Sequence, residues 1–181
     1  PTLPPTLPPT LPPTQQPTLP PPGSCSSEKA CRYYVDAYER YTCDLHGVDS
    51  VITSITGTHM TPLHTDQDVT RVYFTSSDLI RIPALLFTKF PNLKYLTVAN
   101  CSLDVIDDQT FGGQCGPNLM HLDMSFNGVK GVSSSAFQGC SSLESIDFTG
   151  NELDYLDIQF VQALPKLKRI YFNRPDDMNL T

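Results

Sequence analysis

The spacing L-x-x-L-x-L-x-x-N/C-x-L constrains this chain more than any other feature. From Val69 onward it occurs five times. The first copy reads Val69, Val72, Phe74, Ser77 and Leu79, and the second Leu93, Leu96, Val98, Cys101 and Leu103. The third reads Leu119, Leu122, Met124, Asn127 and Val129, and the fourth Leu143, Ile146, Phe148, Asn151 and Leu153. A fifth begins with Leu167, Ile170 and Phe172 and leaves the pattern at Pro175. The starts lie 24, 26, 24 and 24 residues apart. The second half of each repeat keeps step. Ile82, Ile106, Val132 and Leu156 follow each start by thirteen residues, and Phe87, Phe111, Phe137 and Val161 by eighteen, with Phe160 adjacent in the last.

A self-similar period of this length is the signature of stacked units that cannot bury an apolar face alone. The central x-L-x-L-x is short enough for a strand, and its alternation turns the two leucine positions inward. The Asn position follows the strand, where a side-chain amide can bond backbone groups of neighbouring turns. Asn127 and Asn151 suit that role better than Ser77 or Cys101. The phenylalanines are expected to stack as a spine. The expected fold class is an α/β solenoid. Its parallel strands form a concave sheet, and its convex side is irregular or short-helical.

The same register lists the outward face. It comprises Arg71, Tyr73, Thr75, Tyr95, Thr97, Ala99, His121, Asp123, Ser125, Ser145, Asp147, Thr149, Arg169, Tyr171 and Asn173. Arg71, Tyr73, Tyr95, Thr97, His121, Asp123, Asp147, Arg169 and Tyr171 are the candidate binding residues. Tyr and Arg are the types enriched where binding energy concentrates. Asp123 and Asp147 should sit on adjacent strands, repel mildly and favour a cation or a partner Arg or Lys.

Residues 1–24 are of another kind. Eleven of the 17 prolines lie in residues 1–22, within a recurring Pro-Thr-Leu-Pro. Proline fixes φ and removes a donor, so neither helix nor sheet is expected there. A disordered polyproline II arm of about 3 Å per residue would extend roughly 70 Å. Thr2, Thr6, Thr10, Thr14 and Thr18 beside proline suit O-glycosylation. The arm reads as a spacer, or as a docking motif for proline-reading domains.

The repeat resembles that of extracellular leucine-rich-repeat proteins with units of about 24 residues, in the style of secreted arthropod members, some of them in innate immunity. The resemblance spans residues 69–172 and touches 25–68 loosely. It implies a horseshoe and recognition of a protein or another ligand. Residues 25–68 are placed to cap the first coil, with a helical segment near 28–39 and one or two strands near 41–60. They carry three cysteines, where the familiar cap of the family has four. We pair Cys31 with Cys43. Cys25 is then free, paired elsewhere, or linked to a second chain. Cys115 and Cys140 precede consecutive repeat starts by four and three residues. Aligned loops of neighbouring coils lie about 5 Å apart, which suits a disulfide. Cys101 is expected to remain a buried thiol. Residues 69–181 form the repeat domain.

Several classes are excluded or disfavoured. The net charge of −7 argues against nucleic acid or an anionic membrane as the main partner. No apolar run is long enough to span a bilayer. There is no C-x-x-C, no H-E-x-x-H, no nucleophile elbow and no phosphate loop, so no metal, cofactor or catalysis is expected. Six cysteines and sequons at Asn100 and Asn179 point to an extracellular chain with its signal peptide removed. A glycan at Asn100 would sit near the rim of the concave face. Three functions fit: a secreted recognition protein, an adhesive matrix component working through its arm, and the ectodomain of a membrane receptor.

Overall fold

The computed structural model describes residues 28–48, 52–75, 77–113 and 115–172. The expectations for the Pro-rich arm, Cys25, Asn173, Pro175 and Asn179 lie outside them.

In chain order the strands are β1 (Glu28–Ala30), β2 (Arg32–Val35), β3 (Tyr41–His46), β4 (Ser54–Thr56) and β5 (Arg71–Thr75). After the short helix α1 (Leu85–Lys89) come β6 (Tyr95–Val98), β7 (Val105–Ile106), β8 (His121–Asp123), β9 (Gly131–Val132), β10 (Ser145–Asp147), β11 (Tyr155–Leu156) and β12 (Arg169–Tyr171). A seven-stranded sheet runs β12-β10-β8-β6-β5-β3-β2. Its strands are parallel except for β2, which pairs antiparallel with β3. One strand from each repeat thus joins a single concave sheet, a leucine-rich-repeat solenoid. A second sheet, β11-β9-β7, lines the opposite side. The remainder of that side is turns, α1 and a 3-10 helix over Ile158–Ala163.

Burial follows the repeat. Val72, Leu96, Leu122 and Ile146, one above another in the sheet, are buried, as are Phe74, Val98, Met124 and Phe148. Between the sheets runs the aromatic spine. Ring centres are 6.4 Å apart from Phe87 to Phe111, 5.8 Å from Phe111 to Phe137, and 5.2 Å from Phe137 to Phe160. The last member corrects the sequence register. Phe160, not Val161, closes the spine, because the larger apolar ring takes the fully buried place while Val161 stays half-buried.

The ladder amides bind neighbouring coils. Asn127 Nδ2 donates to the carbonyls of Val98 (2.7 Å), Met124 (2.9 Å) and Ser125 (3.2 Å). Its Oδ1 accepts from Cys101 N–H. Asn151 Nδ2 likewise donates to Met124 and Phe148 carbonyls, and its Oδ1 accepts from Val129 N–H. Ser77 accepts from Val48 N–H through its hydroxyl.

The helix expected near 28–39 is not formed. Residues 28–35 are strands β1 and β2, and Asp36 closes a turn by accepting from Tyr38 and Arg40 N–H. The reason is a period of two rather than 3.6: Cys31 and Tyr33 are buried while Arg32 and Tyr34 point the other way. Cys31 and Cys43 form a disulfide, as do Cys115 and Cys140, whose Cα atoms are 5.0 Å apart. Strand β3 continues the repeat sheet in register, Thr42 beside Arg71 and Asp44 beside Tyr73.

Candidate binding face

Strand alternation sends every second side chain out of the concave sheet. Parallel register then aligns those side chains into rows that cross the strands. One row contains Arg71, Tyr95, His121, Ser145 and Arg169, and the next Tyr73, Thr97, Asp123, Asp147 and Tyr171. Both rows are at least partly exposed while the alternate residues are buried in β5, β6, β8 and β10 and half-buried in β12, so the nine candidate residues share one face.

Within the first row the aromatic groups are tightly organised. The rings of Tyr95 and His121 stack at 4.7 Å with planes 7° apart. His121 Nδ1 hydrogen-bonds Ser145 Oγ at 2.7 Å. The Arg40 guanidinium lies 4.7 Å from the Tyr95 ring centre, and that of Arg71 lies 4.2 Å from Tyr73. Burial, reinforced by Arg169, Arg40 and Arg71, outweighs Glu144 and holds the His121 imidazole below its usual pKa.

The turn between β2 and β3 completes this cluster. Asp36 accepts from Arg40 Nε at 2.7 Å and sits 3.9 Å from Arg71. Burial pushes its carboxyl up, but N–H donation from Arg40 and Tyr38 and the Arg40 guanidinium outweigh it and hold it low. Sequence reasoning missed Asp36 and Arg40 because it placed them at the end of a helix. Recognising the period of two across 31–34 would have put a turn at 36–40 and brought them to the sheet edge.

In the second row each aspartate is tied to the turn that follows its strand. Asp123 Oδ1 accepts from Ser125 N–H (3.0 Å) and Oγ (2.6 Å), and Asp147 Oδ1 from Thr149 N–H (2.8 Å). Among the described residues no group of three or more His, Cys, Asp or Glu is placed to hold a metal. A small open cavity of about 170 Å³ lies over the two aspartates, lined also by Arg71, Tyr95, His121 and Tyr171. It is too small and open for a drug-sized ligand, whose pockets hold roughly 300–1,000 Å³. It is a shallow depression in the face.

Two other candidate positions, Asn100 and Cys101, are described, with one that the sequence did not single out, Phe126. Asn100 is exposed at the rim, with φ of 52°. Cys101 is a free, half-buried thiol, and burial pushes its pKa up to about 11. At the same repeat position as Asn100, Phe126 is 58% exposed with φ of 53°. No helix among the described residues is long and apolar enough to cross a membrane.

A leucine-rich-repeat family model matches residues 91–153 and, overlapping, 117–174. Comparison with curated proteins gives no match. Two of the solved structures that share the fold are complexes. One is the Toll–Spatzle complex, described as a molecular hub in Drosophila development and innate immunity. The likeness to it has a TM-score of 0.51 at 15% identity and covers 68% of this chain and 20% of that chain. The other is a TLR13–ssRNA13 complex, with a TM-score of 0.52 at 21% identity, covering 68% of this chain and 18% of that one. The chain thus spans about a fifth of the length of either structure.

Proposed function

This chain is a leucine-rich-repeat protein, and from that premise we propose that it is an extracellular recognition protein that binds a partner protein through its concave sheet. Proteins of this family are typically binding modules rather than enzymes. The observation that carries the reading is the Arg40–Tyr95–His121 stack. Its aromatic and Arg side chains are held by ring contacts and a Ser145 hydrogen bond before any partner arrives. Such preorganised Tyr and Arg groups concentrate binding energy, because little side-chain entropy remains to be lost.

In this reading residues 25–68 are the cap, 69–181 the repeats, and 1–24 a Pro- and Thr-rich arm. Two disulfides favour an oxidising compartment. A protein partner is favoured over nucleic acid by the net charge of −7. The structural likeness to the complex of Toll with Spatzle supports a role in immune recognition.

The test is the double substitution Tyr95→Ala with Asp123→Ala, measured against a partner captured from extracellular fluid. At least a tenfold loss of affinity, with cooperative melting retained, is expected (about 1.4 kcal/mol or more). Unchanged affinity would move the site to the convex side or the arm.

A further inference from the structure

The outward rows of the concave sheet differ in sign. We infer, resting on the reading that this face binds a protein, that the partner is dipolar. It lies across the strands with carboxylates over their starts and Lys or Arg over their ends. In the first row the charged members are Arg71 and Arg169, joined by Arg40 from the cap. In the second they are Asp123 and Asp147. Among β5, β6, β8, β10 and β12 no acid stands in the first row and no base in the second. Two residues along a strand separate the rows by about 7 Å, and from Arg71 to Arg169 four strand spacings make about 19 Å.

The two stripes are not neutralised by each other. No Lys or Arg forms an ion pair with Asp123 or Asp147 among the described residues; their Oδ1 atoms accept from Ser125 and Thr149 instead. Asp36 takes up part of the charge of Arg40 and Arg71. Arg169, at the other end of the row, is exposed, a donor that a partner's carboxylate can reach. A uniformly acidic or basic partner would meet one stripe in attraction and the other in repulsion, a discrimination that complementary stripes convert into specificity. The chain's overall charge of −7 makes the basic stripe a local arrangement rather than a background.

The dimensions suit one short helix laid across the sheet. About fourteen helical residues span about 21 Å, and a helix is roughly 10 Å wide. The probe is a fourteen-residue helical peptide with Glu along one flank and Lys along the other. Its control is an isomer of identical composition with the two residue types mixed on both flanks. Each is titrated into the full chain at low salt, and a nitroxide on the peptide reports position by broadening nearby amide signals. The dipolar peptide is expected to bind about tenfold more tightly than the isomer. Broadening should centre on β6, β8 and β10. Arg169→Glu with Asp147→Lys, both at accessible positions, should erase the preference. Equal binding of both peptides on the concave sheet, or no binding of either, overturns the dipolar partner and leaves the concave-face reading intact. Broadening on β7, β9 and β11 instead overturns the concave-face reading itself.

Discussion

Tyr95 and His121 stand face to face on adjacent strands, ring centres 4.7 Å apart, and this contact ties the protonation of one imidazole to the binding face. Burial, together with nearby Arg side chains, lowers the His121 pKa below its ordinary 6.5. The unfolded chain therefore takes up this proton before the native one does. The contribution to stability is complete above the unfolded value and is lost as pH falls toward the native value. His121→Asn can still bond Ser145 and cannot titrate. Its urea midpoint should fall less steeply than that of the wild type below about pH 6.5. Identical slopes would show that His121 is not held neutral by the fold.

Gly150 is held to glycine by Phe126. A Cβ at Gly150 would overlap Phe126 Cδ1, and the residue has φ of +74°. Gly150→Ala should cost about 2 kcal/mol, from left-handed strain and steric overlap together. In a Phe126→Ala background the same change should cost about 1 kcal/mol less. Additive effects in denaturant titrations would mean that the ring does not lie against Gly150.

Asn127 satisfies backbone groups on two coils at once. Asn127→Ala leaves three carbonyls and the Cys101 N–H without it, and the expected loss is about 3 kcal/mol. Ser77→Ala, which removes the hydroxyl acceptor for Val48 N–H, should cost about 1 kcal/mol. Equal losses in urea titrations of the two variants would contradict the ladder's division of labour.

The Cys115–Cys140 disulfide closes a loop with a sequence separation of 25. Chain-entropy arguments give about 3 kcal/mol for a loop of this size. Cys115→Ser with Cys140→Ala should lower the urea midpoint accordingly, and reductant, which also opens Cys31–Cys43, should shift the wild type at least as far. A reductant-insensitive midpoint for the wild type would argue that this pair is not joined.

The repeat strands were legible because every turn of a solenoid imposes the same demand. Leu96, Leu122 and Ile146 must each be inward, and the intervening residues must each face out. A requirement repeated every 24 to 26 residues survives local noise. The rows of the binding face followed from that register alone. In residues 28–68 the strands near 41–60 were legible, as β3 and β4, but β1 and β2 were not, because they occur once and carry no repeat to confirm them. Arg32-Tyr33-Tyr34-Val35 alternates over too short a span to stand out against a helical reading. Arg40 reaches Tyr95 across 55 positions of sequence with no motif linking the two. The convex sheet escaped notice for a similar reason: its strands are two residues long and gain their partners only when the coils stack.

The most direct measurement of the central claim is site-specific photocrosslinking in extracellular fluid and at the surface of cells. A photoreactive side chain is placed in turn at Thr97, within the concave face, and at Ile158, exposed on the opposite side. Recognition through the concave sheet predicts one defined protein adduct from Thr97, diminished by Tyr95→Ala, and none from Ile158. An adduct from Ile158 with none from Thr97 would contradict it.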